Sequence, residues 1–512
     1  MTRERHIFDA VGDPEFCKGG ECMKTRILNT KILILTSLVC AAAAMAQETY
    51  TTWAHFRDIS VNTTAEAGAG ITTVVTKFPM LIRLTAADAD VFAQAAAKGA
   101  DIRFTKANHT TRLPHQRERY DAVNKVAEFW VLMDTVQPNS DNRIRMYWGK
   151  SGAADSSNGA KVFDTANGFL GVWHLGDSTL NNPRPDAVVG APPAVLRNFD
   201  STNTYPTLPY VPVQGAIGLA DSLAGGSESA YQGSKPYIDV RGTNYAGYSD
   251  FTSFSYSVWA YDNGPVAFGR YLEAWDDSAG STANRIILFG NHSSTANDLA
   301  VRWGGTTFNG TTPDILPGVW QHIFFTKAPN GGTLTAYING VATDSMTGVT
   351  DLPVVLRTFV YMGRSTVTVG DPYYNGKFDE MVMAKQARSA DWVKLSYGTQ
   401  VPGQTAVNLG GTDTTLVGIR GSVSVAPGFS IHSNGSGFVF SLPTNVSGAR
   451  VTVMDIWGRV VWSQTAGFGA SELTWNTRAG RVAAPGIYLV RLTAANGLNS
   501  KVLADSKITL VP

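Results

Sequence analysis

Residues 376–398 read GKFDEMVMAKQARSADWVKLSYG, and the fold turns on how this stretch is understood. An alternating segment carrying two adjacent carboxylates, Asp379 and Glu380, runs directly into a short helical pattern. Ser389 is placed to cap that helix, Asp391 suits its first turn, and Gly398 is placed to end it. On a regular strand successive side chains leave on opposite faces, so two neighbouring carboxylates cannot flank one glycosidic bond unless the strand is bulged. The pair therefore reads as the signature of a closing strand rather than as a catalytic acid and base.

Upstream of this stretch the same strand periodicity holds back to about Gly168. In FSYSVWA, Phe254, Tyr256 and Val258 share one face, with Ser255, Ser257 and Trp259 on the other. GVWQHIFFTKAPNGGTLTAYINGVATDS supplies a strand, an Asn-Gly-Gly turn, a second strand and the Asn339-Gly340 hairpin turn. Asn-Gly is favoured there because both central residues of a type I′ turn need positive φ. Taken in order, KPYIDV, FTSFSYSVWAYDNG, WQHIFFTK, LTAYINGVA and the closing motif resemble the laminin-G-like, concanavalin A-like jelly roll, expected over residues 168–404.

Residues 47–167 precede it as a separate N-terminal domain. ITTVVTKFPMLIRL, ADIRFTKA, AEFWVLMD and RIRMYWGK pattern as strands of a β-sandwich. An Ala-rich helix over about Ala86 to Lys98 is expected to stop at Gly99, which suits a left-handed cap. GADIRFTKA, LPHQRERYD, AEFWVLMD, RIRMYWGK and GVWHLGD resemble the domain of unknown function 2341 family, which implies a placement beside such jelly rolls but no chemistry.

Residues 405–428 are rich in Gly, Thr and Ser and read as a linker. Residues 429–512 pattern as a small immunoglobulin-like sandwich, and VMDIWGRVV, APGIYLVRL and SKITLVP resemble the C-terminal sorting domains of type IX secretion cargo. That resemblance implies the type IX machinery as a partner and a place outside the cell or on its outer surface. The fold class is thus all-β in three modules.

Composition agrees. The chain has 512 residues, 51 of them Gly, with 16% charged residues and a formal net charge of +1, which suits packed domains rich in turns and supplies no basic surface for nucleic acid. Met23 to Gln47 has Lys24, Arg26 and Lys31 before an apolar run ending Ala44-Met45-Ala46. This is the pattern of a cleaved signal peptide over residues 23–46, with residues 1–22 expected to be a mis-called upstream start. Its apolar core is short for a bilayer span, so no transmembrane helix is expected in the mature chain. Cys17, Cys22 and Cys40 all precede the expected cut, which excludes disulfides and thiolate metal sites from the mature protein.

The catalytic patterns are missing. No Glu is followed two positions later by Asp, as the acids of jelly-roll glucanases are, and neither H-E-x-x-H nor G-x-S-x-G occurs. His115 and His174 stand alone in the sequence and are expected to serve packing. Calcium is the ion that the laminin-G-like resemblance implies, with Asp177 and Asp379 as its oxygen donors. Sugars need apolar faces and hydrogen-bonding edges, and Tyr271, Trp275, Trp303, Tyr373 and Tyr374 lie in polar, loop-like contexts from which they are expected to line a carbohydrate cleft. The expected function is non-catalytic binding or adhesion with polysaccharide as ligand. A glycoside hydrolase or lyase with dispersed carboxylates and a protein-binding envelope component are the alternatives.

Overall fold

The computed structural model describes residues 48–414 and 428–510, apart from residues 67, 177–182, 201–207, 210–211, 226–234, 241–244, 265–267, 277–281, 291–296, 312–313, 366–371, 434–436, 444–447, 456–458, 468, 478–485 and 497–498. The expected signal peptide and upstream segment lie outside the described residues. The chain divides into two compact units, the first ending at Thr415 and the second running from Leu416 to Pro512. Both are all-β, as the alternation in the sequence predicts.

The jelly roll is built from two sheets. The eight-stranded sheet has at its centre Gly376–Ala384, Phe254–Asp262 and Trp320–Lys327 side by side, with Phe169–Trp173 also paired to Gly376–Ala384. The seven-stranded sheet runs Thr306–Phe308, Leu299–Trp303, Ile286–Gly290, Gly269–Trp275, Phe359–Met362, Tyr237–Asp239, Val195–Arg197. Phe254, Tyr256 and Val258 point into the core between the sheets, where they meet Leu272, Leu288, Val301 and Met362. Asn330-Gly331 and Asn339-Gly340 adopt positive φ, at +57°, +66°, +54° and +79°, and close the two hairpins anticipated around Leu334–Ile338.

The other face of the eight-stranded sheet is buried too, because the N-terminal domain covers it. That domain consists of a six-stranded sheet centred on His55–Asn62 and Asp141–Trp148, and a three-stranded sheet of Val75–Leu84, Val126–Val136 and His115–Asp121. Phe78, Trp130 and Val131 share one core with Trp259, Phe324 and Phe169 of the jelly roll, so Trp259 is buried although it faces away from the jelly-roll interior. Helix α1, Ala89–Gln94, is shorter than expected and is flanked by 3₁₀ turns at Ala86–Asp88 and Ala97–Gly99. Gly99 does take a left-handed conformation, at φ +66°, and so does Lys98 before it.

Helix α2, Ala390–Gln400, lies at the junction of the two domains. Ser389 Oγ caps it by accepting from the Trp392 N–H at 3.2 Å. Asp391 looks outward from the first turn to the N-terminal domain, where Oδ2 accepts from the Thr72 and Thr73 amides and hydroxyls at 2.6–3.1 Å. Gly398 does not end the helix, which continues to Gln400 because the Val401 N–H still reaches the Tyr397 carbonyl. Residues expected to be linker return to the first unit: Val407–Leu409 and Asp413–Thr414 both pair with His55–Asn62, extending the six-stranded sheet. Low hydrophobicity concealed them because edge strands draw their stability from backbone pairing with a neighbour far away in sequence.

The second unit is a small sandwich, with a three-stranded sheet led by Ser430–Ser433 and a four-stranded sheet ending in Asn499–Leu510. Phe440, Trp475, Val451 and Tyr488 fill the space between them.

Candidate functional site

The expected aromatic cleft is not formed by the residues named for it. Tyr271, Trp303 and Tyr374 belong to the core between the jelly-roll sheets, and none is more than 4% exposed. The Tyr271 and Tyr374 hydroxyls are turned inward to the carboxylate of Asp262, at 3.0 and 3.3 Å. Trp275 and Tyr373 lie on the outer side of the seven-stranded sheet but are covered, the first beneath the guanidinium of Arg285 and the second beneath that of Arg364. Tyr and Trp beside polar residues read as loop residues in sequence, yet a strand buried on both faces has the same local composition. Of the two carboxylates expected to bind calcium, Asp177 lies outside the described residues and Asp379 is fully buried, with Oδ2 accepting the Ile217 N–H at 2.8 Å.

The opening motif holds what the alternation rule alone could not show. The pairing of Gly376–Ala384 with Phe254–Asp262 slips between Ser257 and Trp259, and Glu380 takes φ +51° at that point. Phe378 and Met381 both point into the jelly-roll core, so the two residues between them, Asp379 and Glu380, are displaced together to the outer face. A bulge thus places both carboxyls in the seam beneath the N-terminal domain.

There Glu380 meets His174, which follows the strand Phe169–Trp173, and Glu118, from the strand His115–Asp121. His174 Nδ1 is 2.9 and 3.0 Å from the two Glu380 oxygens and 3.5 Å from Glu118 Oε2. Glu118 Oε2 also accepts from the Trp130 indole N–H at 2.7 Å, and the Trp130 ring stacks on the His174 imidazole at 5.9 Å between centroids. Phe163 closes on His174 edge-on at 5.8 Å. The imidazole is therefore held in one orientation by aromatic walls on two sides.

The electrostatics are those of crowded acids in a buried seam. Burial pushes the Glu380 carboxyl well above the usual carboxylate range, and the negative charge of Glu118 adds to it. Burial does the same to Asp379, with the charge of Glu380 next in importance. Asp186 is pushed up to about 7 by burial, partly opposed by its hydrogen bonds from Val188 and Val172. Arg119 pairs with Glu128 through two hydrogen bonds of 2.6 and 2.7 Å, while Arg83 donates to the backbone carbonyls of Ala216 and Gln400. A cavity of about 300 Å³ adjoins the cluster, lined by Gln116, Glu118, Arg119, His174, Arg184 and Gly218 among others.

His115, by contrast, is a packing residue as expected. It is buried between Phe104 and Phe129, and burial lowers its imidazole to about 3, so it stays neutral. Along the sequence His174 reads as a packing residue too, because its partners lie far off, Glu380 being 206 positions away. The available signal was that His174, Glu118 and Glu380 each fall within a quoted motif of one of the two resembling families.

A second feature is the outer face of the seven-stranded sheet. Tyr237, Tyr361 and Tyr373 pack together there, and Arg364 lies across them at 4.9–6.0 Å from the ring centroids. Arg197, 41% exposed at its side chain, pairs with the buried Asp239, and Arg270 and Arg285 pair with the buried Glu273. Arg302 and Arg364, both partly exposed, have no carboxylate partner among the described residues.

Comparison with known proteins places the two domains. Residues 232–394 match the concanavalin A-like lectin/glucanases superfamily, and residues 98–176 match the domain of unknown function 2341. The fold is all-β with a concanavalin A-like domain, and the stretch that matches the second family model precedes it in the chain. Among solved structures, domain 4 of AbnA, a GH43 extracellular arabinanase from Geobacillus stearothermophilus solved with arabinotriose, is 19% identical, with 44% of this chain and 97% of that one aligned at a TM-score of 0.34. The CBM40 of the Ruminococcus gnavus IT-sialidase is 11% identical over 36% of this chain and all of that one, at 0.28. The Trypanosoma rangeli sialidase is 12% identical over 45% of this chain and 33% of that one, at 0.32. No curated protein sequence matches the chain.

Proposed function

We propose that this is an exported, non-catalytic protein that binds polysaccharide at the cell surface through the outer face of the seven-stranded jelly-roll sheet. The observation that carries the reading is the asymmetry of the jelly roll. The outer face of one sheet is buried under the N-terminal domain and helix α2, whereas the other presents Arg364 over a bed of tyrosines, Arg197 on the neighbouring edge strand and Arg302 farther across the same sheet. Planar guanidinium groups carry several donors in fixed directions and suit the hydroxyls and carboxylates of a glycan. The expected ligand class is therefore an acidic polysaccharide. Many copies on one surface would convert weak single-site binding into avidity. Export follows from the signal-peptide pattern, and the C-terminal sandwich then serves the type IX sorting and surface attachment that its motifs imply. No helix among the described residues is long and apolar enough to cross a membrane.

A hydrolase that used the seam carboxylates is disfavoured by their geometry. Glycosidases hold their two carboxyl groups roughly 5–9.5 Å apart so that a sugar and its nucleophile fit between them. Here the ligand atoms of Glu118, His174 and Glu380 all lie within 4.8 Å of one another, too close to admit a sugar between them.

The test is a pull-down of the full chain on neutral and acidic polysaccharides, with released sugar assayed in parallel. Binding to acidic polymers without release, weakened about tenfold by Arg302→Ala with Arg364→Ala, is expected from the loss of charge-assisted hydrogen bonds. Sugar release, or retention on no polymer, would refute it.

A further inference from the structure

We infer that Glu118, His174 and Glu380 form a binding site for a divalent metal ion of the zinc class, set in the seam between the N-terminal domain and the jelly roll. The inference is independent of the glycan reading. One imidazole nitrogen and two carboxylates converge with all ligand atoms within 4.8 Å, a donor set that suits zinc and its first-row neighbours. Calcium instead takes six to eight oxygens, and an imidazole is a poor donor for it. Three protein ligands leave a coordination position open, and a cavity of about 300 Å³ lined by two of them, Glu118 and His174, gives room for a water or a small anion.

Charge points the same way. Arg83 and Arg119 are the guanidinium groups that act on Glu118 and Glu128, and Arg83 on Asp379 and Glu380 as well. Carboxyls crowded into a buried seam favour a cation among them, and a dication held by Glu118, His174 and Glu380 would supply that charge where the ligand atoms converge. A separate sign of an uncompensated site is Asp379 Oδ1, fully buried and without a hydrogen-bond partner among the described residues. The surroundings also resemble a metal site's outer layer: Trp130 both holds Glu118 by its N–H and stacks on His174. Since the ligands come from His115–Asp121, the loop after Phe169–Trp173 and Gly376–Ala384, the ion would staple the two domains together.

The experiment uses the untagged full chain, stripped with chelator and titrated with Zn²⁺ by calorimetry, with metal content measured after gel filtration. One equivalent is expected to bind and to raise the melting temperature of the first unit, with proton release on binding. His174→Gln and Glu118→Gln should each weaken zinc at least about tenfold, and X-ray absorption at the zinc edge should show one imidazole in the wild type and none in His174→Gln. Glu118→Gln serves as the second variant should His174→Gln fail to fold, with circular dichroism as the check. Absence of stoichiometric zinc, binding unaltered in both variants, or uptake of Ca²⁺ in preference to Zn²⁺ would each overturn the assignment.

Discussion

Replacing Trp392 by alanine should loosen the whole first unit, because this one side chain joins its two domains. It is 8% exposed on helix α2 and meets Phe78 of the N-terminal domain edge-on at 4.9 Å between centroids. On the jelly-roll side it lies 6.5 Å from Phe169, and the Arg388 guanidinium sits 3.9 Å above its ring. Truncation removes roughly 200 Å² of buried side chain, which at about 25 cal/mol per Å² sets an upper bound of about 5 kcal/mol. Measured large-to-small core changes of this kind cost about 3–5 kcal/mol, so a loss of about 4 kcal/mol is expected. Arg388 keeps its hydrogen bonds to Gln386 and the Asn167 carbonyl, so no buried charge is stranded. The assay is urea unfolding of the full chain followed by far-ultraviolet circular dichroism, with the first unit's transition separated from that of the C-terminal sandwich. With a slope of about 3 kcal/mol per molar for a unit of this size, the midpoint should fall by more than about 1 M. A fall of less than about 0.3 M would refute the shared core, as would separate wild-type transitions for the N-terminal domain and the jelly roll.

Two further outcomes follow from the buried acids. Burial raises the Asp262 carboxyl to about 6, against hydrogen bonds from Tyr271 and Tyr374 that pull it down. Its folded value lies above its unfolded one, so the folded state holds the extra proton. The stabilisation is full below about pH 4 and is lost as pH rises to about 6, a change of about 3 kcal/mol that Asp262→Asn should flatten in melting curves across that range. Asp391 behaves in the opposite sense: burial alone would raise its carboxyl, but the hydrogen bonds from Thr73 and Thr72 outweigh it and hold it below the usual range. Its contribution is present above the unfolded pKa and lost as pH falls through the folded one. Asp391→Ala should cost about 2–3 kcal/mol at neutral pH, from several charge-assisted bonds lost at once, and the difference from wild type in denaturant midpoints should shrink in acid.

What the sequence determined by itself was whatever depends on near neighbours. Period-two alternation specified the strands of the jelly roll, Asn-Gly pairs specified its hairpins through their tolerance of positive φ, and Ser389 announced the start of helix α2. These are short-range effects of backbone sterics and local hydrogen bonding, so they can be read along the chain. Tertiary structure alone decided whether an aromatic was surface or core, since Tyr271, Trp303 and Tyr374 are buried by strands far from them in sequence. It also decided the candidate site. A bulge in one strand turned Glu380 to the face where Asp379 already pointed, and the docking of the N-terminal domain carried Glu118 to His174. Register and domain packing set those positions through contacts between distant segments, for which no spacing of residues along the chain is a substitute.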